Sequence, residues 1–353
     1  MKERTDKMAY GGGVWVTQNK KLPGAYINFV ATPNVSTALG ERGIVAIPYA
    51  LNKSAGKVIE ITKDEFLKNG ETILGVKYTS NEAKPLREIF YHANKCLIYD
   101  LGTSGTATEA IAAFEAYEFN VLAVYTETPE DVTAYVEAVK TWRDAGKKCQ
   151  AVVYNATTAP DHEGVINVVS TISDESVPAY ALVAWVAGAE AGCAVNKTCS
   201  NMVYDGEYTI VCEETKAQLE ACISEGEFVF HRAYNEVRVL EDINSLVTLT
   251  DDKNEEFKWN QTIRVIDQIA NDIAELFVTK YLGNIPNNES GRASFWSDIV
   301  AHHRELETIA AIEDFDSSKL TVERGNDRRS IVVNDAITVV NTLSTLYMTV
   351  IVQ

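Results

Sequence analysis

The last eight residues of the sequence, LYMTVIVQ, constrain the fold strongly because they are almost entirely apolar. One alternate set consists of Leu346, Met348, Val350 and Val352, and the other of Tyr347, Thr349 and Ile351. A strand that is apolar on both faces is typical of the interior of a sheet, whereas chain ends are commonly polar. An unpaired apolar edge also invites a second chain to pair with it. We therefore predict that 346–353 either lies deep in its own sheet or completes a sheet with a neighbouring molecule.

A second segment with strand character lies near the other end of the sequence. It consists of Val14, Trp15, Val16 and Thr17, and it follows a run of three glycines at positions 11–13. The pattern predicts a flexible hinge next to a short strand that lies outside any compact element. The hinge is either the glycine run or residues 19–21. The sequence thus predicts extended strand arms at both ends.

Composition and charge exclude several classes of protein. Of the 353 residues, 46% are hydrophobic and 23% are charged, and no apolar run approaches the roughly 18 residues of a membrane span. The charged N-terminus lacks the apolar core of a secretory signal, which predicts folding in a cytoplasm and no membrane insertion. The net charge of −18 argues against a nucleic-acid partner, because such binding rests on a basic surface.

The order of the elements predicts a mixed α+β and α/β fold. Residues 22–94 are rich in strand patterns, and residues 95–170 alternate strand, helix, strand and helix, which predicts a small parallel sheet with covering helices. Two long amphipathic helices are predicted at 261–281 and 293–315, after which strand patterns resume. The sequence therefore predicts a β-rich frame with two long helices, interrupted by an α/β unit.

A glycine-rich turn, Gly102 to Thr106, lies between a predicted strand and a predicted helix, where such turns can bind phosphate. It matches neither common phosphate-binding motif and has no lysine. The other interpretation is a tight turn in which Thr106 or Thr108 caps the helix. The sequence therefore predicts no nucleotide cofactor.

Other groups of reactive residues are also explained more simply. Asp161, His162 and Glu163 have the chemistry of cation ligands, but they lack a second cluster at ligand spacing, which favours a solvated turn. The six cysteines are scattered singly, which is typical of reduced core residues. No motif of an activated nucleophile is present. We predict no catalytic, cofactor or metal site, and a structural or binding protein rather than an enzyme.

Several phrases, in this order along the chain, resemble the tail sheath proteins of contractile phage tails and R-type bacteriocins, especially the short form of Gram-positive bacteria. They are LPGAYINF at 22–29, EDINSLVTLT at 241–250, RVIDQIANDI with YLGNIPNN between 264 and 288, and the terminal YMTVIVQ. Each phrase is loose, and the resemblance rests on their order and on the chain length.

The resemblance implies a domain organisation. Residues 1–21 would be an N-terminal linking arm, and 346–353 a C-terminal linking strand. Residues 22–94 with 229–345 would form an inner domain against a tail tube, and 95–228 an outer α/β domain. The linking residues would be 14–17 and 346–352, joined to the sheets of neighbouring subunits.

The resemblance also implies a function. The chain would polymerise helically around a tail tube and contract to drive that tube through a target envelope. Its partners would be itself, the tube protein, and the baseplate and tail terminator proteins. It would assemble in the producer cytoplasm and leave by lysis.

The tube-facing surface is a separate hypothesis. An acidic chain needs a basic or neutral surface to meet an acidic tube, and Arg292, His302, His303 and Arg304 are the candidates. A solvated helix face is the other interpretation, and His303 also falls on the apolar side of its predicted helix. Two other functions remain open: a non-contractile self-assembling shell protein, and an α/β enzyme that uses the Gly102 turn.

Overall fold

The computed structural model describes residues 39–351 of the chain. The strands in this range are β1 (Ile44–Tyr49), β2 (Val58–Thr62), β3 (Lys95–Asp100), β4 (Val121–Ala123), β5 (Gln150–Tyr154), β6 (Val165–Val168), β7 (Glu227–Phe228), β8 (Phe230–Ala233), β9 (Glu236–Val239), β10 (Ile312–Glu313), β11 (Thr321–Arg324), β12 (Ile331–Asn334) and β13 (Thr338–Val339). The α-helices are α1 (Lys63–Leu74), α2 (Lys84–Phe90), α3 (Ala107–Phe114), α4 (Pro129–Asp144), α5 (Leu182–Gly192), α6 (Lys216–Ser224), α7 (Asn260–Leu276) and α8 (Glu289–Thr308).

Seven of the strands form one sheet in the order β2-β3-β1-β4-β5-β6-β7. Every neighbouring pair is parallel except β2 with β3. The first strand lies in the middle, since Val45 is opposite Cys96 on one side and Val121 on the other. The strand order therefore reverses between β1 and β4. The carboxyl ends of two such strands form the crevice in which open α/β sheets commonly bind ligands.

The middle strands of this sheet are buried on both faces, as expected for apolar runs in a parallel sheet. Every residue of β5 is buried. One face packs against a cluster that includes α1, α2 and α5, and the other against a cluster that includes α3 and α4. The result is a three-layer α/β unit.

Helix α5 packs unusually close to α2 because its sequence, LVAWVAGAEAG, consists mainly of small residues. A Cβ atom added at Gly188 would lie 2.4 Å from the carbonyl oxygen of Ile89, and one at Gly192 would lie 2.2 Å from that of His92. Neither position has room for a side chain. Backbone contact between the two helices thus depends on glycine.

The helices α7 and α8 pack together around a separate apolar cluster with the short strands that follow them. Strands β11 and β12 form an antiparallel hairpin, and β10 pairs antiparallel with β13. The end of α7 continues as a π-helical turn, Phe277–Tyr281. None of the helices in the described range has the length and apolar character needed to cross a membrane.

The mixed fold with a parallel sheet is confirmed, but the predicted boundary at residue 95 does not match the sheet. Residues 44–62 supply β1 and β2 to the same sheet as β3 to β7. Residues 207–212, EYTIVC, have the composition of a strand but form only an isolated bridge, between Ile172 and Ile210. All six cysteines are free: Cys96, Cys149 and Cys199 are buried, and the other three are partly buried. The predicted N-terminal arm lies outside the described residues, as does Val352.

Candidate assembly site

Helix α7 has a polar face that is buried. Its buried polar residues are Asn260, Gln261, Thr262, Arg264, Asp267 and Gln268. Burying polar groups costs free energy unless they find hydrogen-bond partners. Here the partners come from several parts of the chain: α4, β5, α5 with the loop that follows it, the segment after β9, the segment before β1 and the segment after β13. Helix α7 is therefore the element that joins the separate parts of the molecule.

Asp267 and Asn260 join α7 to α4 and β5 of the α/β unit. Arg143, near the end of α4, donates to both carboxylate oxygens of Asp267 at 2.6 and 2.9 Å. This two-pronged geometry is the strongest form of arginine–carboxylate pairing. Asn260 at the start of α7 accepts a hydrogen bond from the side chain of Gln150 in β5 at 3.0 Å. Burial opposes the charge on Arg143, yet the carboxylate of Asp267 holds the pKa of this arginine above its ordinary value.

Arg264 lies at the centre of a second buried cluster. Its Nη2 is 2.6 Å from Oε2 of Glu190 in α5 and 3.3 Å from Oδ2 of Asp242. Asp242 also accepts hydrogen bonds from the backbone N–H of Cys199 and the side chain of Asn260. In contrast, Oε1 of Glu190 has no hydrogen-bond partner among the described residues. The two carboxyl groups therefore lie in different environments although they share one arginine.

The pKa values of these two carboxyl groups shift in opposite directions. Burial raises the pKa of Glu190 well above its usual range, and the charge of Asp242 raises it further. Burial also opposes the charge on Asp242, but Arg264 and the hydrogen bonds it accepts lower its pKa below the usual value. Asp242 thus carries the negative charge and Glu190 the proton. Glu190, Cys199 and Asp242 lie close enough to hold a cation, within 4.8 Å, but Arg264 already supplies positive charge there.

Helix α7 also holds the residues from which the C-terminal segment extends. Gln261 donates to the carbonyl oxygen of Val340 at 3.1 Å and accepts from the backbone N–H of Thr342 at 3.1 Å. Thr262 donates to the side-chain oxygen of Asn341 at 3.2 Å. We name residues 340–342 the C-terminal root. The root is held by side chains of α7 and by one backbone hydrogen bond, from Val340 to the carbonyl oxygen of Ala311.

The described residues nearest the other end of the chain contact the same helix. The backbone N–H of Gly40 donates to Asp272 at 3.2 Å, and the side chain of Gln268 donates to the carbonyl oxygen of Gly40 at 3.3 Å. The contacts at Gln261 and Asp272 are separated by about three helical turns, or roughly 16 Å. One helix thus holds the segments that lead to both predicted arms.

Beyond the root the chain leaves the body of the molecule. Large apolar side chains at Leu343, Leu346, Tyr347, Met348, Val350 and Ile351 are 69–102% exposed. Residues 340–351 form no strand. Of the two interpretations, burial within the chain's own sheet is therefore wrong for residues 346–351. A contiguous run of exposed apolar side chains marks an interaction site, and we name residues 343–351 the C-terminal arm.

Two family models match the chain. The phage tail sheath protein central domain matches residues 102–245, and the phage tail sheath C-terminal domain matches residues 252–353. Together they cover more than half of the sequence. The chain belongs to the phage tail sheath family. The family inferred from the sequence phrases is thereby confirmed.

The chain is also similar to individual phage-related proteins. The chain is 31% identical over 258 residues to the phage-like element PBSX protein XkdK of Bacillus subtilis, over 69% of this chain and 55% of that protein. The chain thus spans little more than half the length of this relative.

Solved sheath structures share the fold. The sheath tail protein of Desulfitobacterium hafniense is 25% identical and superposes with a TM-score of 0.73, over 90% of this chain and 100% of that one. The contracted helical sheath of the anti-feeding prophage superposes with a TM-score of 0.69 at 15% identity, over 94% of this chain and 99% of that one. The second likeness concerns the fold alone.

Two of the four residues considered for tube contact are not at the surface of this sheath chain. His302 is 3% exposed and lies 2.8 Å from Asp272, and His303 is 0% exposed and lies 2.6 Å from Asp335. Both histidines face inward because they lie on the packed side of α8. His302 and His303 are therefore core residues, and assigning them to a tube-facing surface was wrong.

The other two residues of that set are accessible but lie in different surroundings. The Arg304 side chain is half exposed, pairs with Glu307 at 2.6 Å and lies over the ring of Phe315. Arg292 is partly buried near the start of α8 and donates to the side chain of Asn287 at 3.1 Å. The sequence set therefore does not form one surface patch.

The glycine-rich turn has a structural role. Backbone N–H groups of Leu51, Asn52, Lys53 and Ser54 donate to the carboxylate of Asp100, together with that of Gly102. The Asp100 carboxylate therefore joins residues 51–54 to the first residue of the glycine-rich turn. Thr106 caps α3 and exchanges hydrogen bonds with Glu109, in agreement with the capping interpretation.

Aromatic side chains fill the crevice at the carboxyl ends of β1 and β4. Tyr49 ends β1, and its ring lies 5.5 Å from that of Tyr125, which follows β4. The ring of Tyr180 also lies close to Tyr125, with 5.0 Å between the ring centres. Burial raises the pKa of Tyr49 to about 12, so it stays neutral. The place where this fold commonly binds a ligand is thus packed with the protein's own side chains.

Asp161 and Glu163, considered as cation ligands, instead hold neighbouring segments. Asp161 accepts from the backbone N–H groups of Val247 and Thr248 at 2.8 and 2.9 Å. Glu163 is 8% exposed and accepts from Lys253 at 2.8 Å. The predicted solvated turn is therefore wrong for these two carboxylates, because a loop more than 80 residues away uses them.

Proposed function

We propose that this chain is a structural subunit of a contractile tail sheath, which polymerises helically around a tail tube and contracts to drive the tube through a target cell envelope. The observation that carries the proposal is the exposed apolar C-terminal arm, rooted on α7. Membership of the sheath family supports it. Burying the arm requires a neighbour, and in a sheath each subunit has identical neighbours on which to do so.

The arm links subunits by strand addition. Leu346, Tyr347, Met348, Thr349, Val350, Ile351 and Val352 pair with the sheet of a neighbour, and so do Val14, Trp15, Val16 and Thr17 at the other end. A strand of about six residues adds five or six main-chain hydrogen bonds, each worth about 1 kcal/mol net. Such linkages persist while the subunit bodies rotate.

Helix α7 carries load between the arms and the body. Tension on the C-terminal arm reaches Gln261 through the root, and it passes to the α/β unit through the paired charges of Arg143 with Asp267 and Arg264 with Asp242. Buried charge-assisted pairs suit this task because they are directional and short.

The orientation in the particle and the remaining partners follow from the same proposal. The unit around α7 and α8 faces the tube, and the seven-stranded unit faces outward. Arg292 and Arg304 remain the candidate tube contacts. The baseplate and tail terminator proteins bind the two ends of the sheath. The chain assembles in the producer cytoplasm and is released by lysis.

Deleting 346–353 tests the proposal. We expect the shortened chain to stay folded, with an unchanged melting temperature, and to form no sheath on tubes in electron micrographs. As a matched control, Val350→Ile keeps the apolar strand and should assemble like the wild type. A shortened chain that still forms sheath would refute linkage by the arm.

The same micrographs decide whether the assembly contracts. A contractile sheath appears as tubes of two lengths, one longer and narrower and one shorter and wider. A wild-type assembly of a single length, before and after a contraction trigger, would instead favour a non-contractile shell protein.

A further inference from the structure

A cavity of about 270 Å³ opens between the end of α7, the start of α8 and the turn that joins β11 to β12. Its apolar lining comes from Phe277, Tyr281, Leu282, Ile285, Phe295 and Ile331. Leu282 is 57% exposed and Ile285 is 41% exposed. Large apolar side chains at the mouth of a cavity suit an occupant that brings an apolar side chain of its own.

Three arginines line the same cavity: Arg292, Arg328 and Arg329. None of them forms an ion pair within residues 39–351. Asn287 holds the group together, because it accepts from Arg292 and donates to the carbonyl oxygens of Arg328 and Ser330 at 3.2 and 2.8 Å. We name this cavity the arginine pocket.

The turn that presents two of these arginines is well braced. Asp327 accepts from the backbone N–H groups of Arg329 and Ser330 at 2.6 and 2.8 Å, and Gly325 donates to the carbonyl oxygen of Ser330. The carboxylate of Asp327 is thus engaged by backbone rather than by an arginine side chain. A braced turn loses little conformational entropy when a partner binds.

A complementary feature lies elsewhere on the chain. Thr250 and Lys253 exchange backbone hydrogen bonds at 3.0 and 3.3 Å and close a tight turn with Asp251 and Asp252 at its tip. Both aspartates are exposed and make no ion pair with other described residues. Leu249, just before the turn, is 42% exposed. We name residues 249–253 the acidic turn.

The acidic turn is also fixed in place. At its start, Asp161 holds the backbone of Val247 and Thr248, and at its end Lys253 pairs with Glu163 at 2.8 Å. These contacts explain why Asp161 and Glu163 are committed to a distant loop. A loop that is held at both ends and exposed at its tip is suited to contact another molecule.

We propose that the arginine pocket of one subunit binds the acidic turn of a second copy of this chain. Leu249 packs against Leu282 and Ile285, while Asp251 and Asp252 pair with Arg328 and Arg329. The proposal rests on the chain being a sheath subunit that assembles with itself. The chain has 50 acidic and 32 basic residues, so a second copy offers more acidic than basic partners to these arginines.

The two surfaces differ, so the contact is heterologous. Such contacts generate rings or open helices rather than closed dimers, which matches a helical sheath. The contact would link subunit bodies, in addition to the linkage by the arms. It would be sensitive to salt, because salt screens exposed charge pairs.

Exchanging the charges tests the proposal. The variants are R328E/R329E, D251R/D252R and the quadruple variant that combines them. Self-association of the full chain is measured by sedimentation at low salt, without tubes, and sheath formation on tubes is scored in micrographs. We expect each double variant to lose at least tenfold in self-association and the quadruple variant to regain most of it.

Neutral variants and melting temperatures separate binding from folding. R328Q/R329Q should weaken self-association less than R328E/R329E, with a melting temperature equal to that of the wild type. Normal self-association of R328E/R329E would overturn the proposal, and so would a quadruple variant no better than either double variant. Normal self-association combined with lost tube binding would assign the pocket to the tube and overturn it too. Failure of the wild type to form sheath would refute the proposed function. Sedimentation of the charge variants would still show whether the arginine pocket binds the acidic turn.

Discussion

Strand β5 and the C-terminal arm have similar sequences and opposite surroundings. β5 has the sequence QAVVY and is buried at every position, whereas residues 346–351 have the sequence LYMTVI, with large apolar side chains that are 69–91% exposed. β5 lies between two parallel neighbours, β4 and β6. The arm has no such neighbours among the described residues. An apolar strand pattern therefore indicates that the strand must be buried. It does not indicate whether its own chain or a neighbouring chain buries it.

The largest expected effect comes from placing the same charge in both segments. Val152→Asp puts a carboxylate into the interior of the sheet, so we expect a loss of about 4 kcal/mol or more in the free energy of unfolding. Val350→Asp changes an exposed side chain and should alter stability by less than about 0.5 kcal/mol. Urea denaturation of the two variants measures both values.

The pair of variants also tests the comparison itself. Val350→Asp should abolish sheath formation although the chain remains folded. If Val350→Asp destabilises the isolated chain as much as Val152→Asp does, the arm is buried in its own subunit and the contrast between the segments is lost.

The sheet shows how much of the fold could be predicted. The strand and helix alternation after residue 95 was predicted because each apolar run is short and local turn residues separate the runs. The position of β1 was not predictable, since its partners β3 and β4 lie about 50 and 75 residues further along the chain. Strand patterns around 44–49 identified a strand but not its neighbours.

Helix α7 shows what sequence patterns miss at the candidate site. Its isoleucines at 263, 266, 269 and 273 predicted a helix with one apolar face. Its polar residues look like an ordinary solvated face, yet Arg264 and Gln268 are buried. The partners of Arg264, Glu190 and Asp242, and the partner of Gln268, Gly40, come from segments that no local pattern places beside α7. His302 and His303 were misassigned for the same reason, because their carboxylate partners are distant in sequence.

The second largest expected effect is at Arg264, on helix α7, which connects the seven-stranded unit to the C-terminal arm. Arg264→Ala leaves the Asp242 charge buried without its guanidinium partner, so we expect a loss of about 3–5 kcal/mol in the free energy of unfolding. Arg304→Ala is the matched control, since its ion pair with Glu307 is exposed and worth at most about 1 kcal/mol. Thermal and urea unfolding of both variants measure the difference. Equal losses would contradict the assignment of Arg264 as the central charge of α7.

The smallest expected effect is at the C-terminal root, where the buried part of the chain meets the exposed C-terminal arm. Gln261→Ala removes the side chain that binds both Val340 and Thr342, which should cost about 1 kcal/mol per hydrogen bond at most. The same change frees the root, so the amide of Thr342 should exchange with solvent faster while the core amides of β5 keep their protection. Hydrogen exchange read by mass spectrometry or NMR measures this.

Gln268→Ala provides the control on the same helix. Gln268 binds the carbonyl oxygen of Gly40 rather than the root, so its loss should leave exchange at Thr342 unchanged. If α7 transmits load from the arm, Gln261→Ala should also lower the fraction of sheaths that contract completely, whereas the arm itself still links subunits. Unchanged exchange at Thr342 in Gln261→Ala would show that the root is held by other contacts, such as the hydrogen bond from Val340 to the carbonyl oxygen of Ala311. The border between buried and exposed chain would then be set by β13 and β10 rather than by α7.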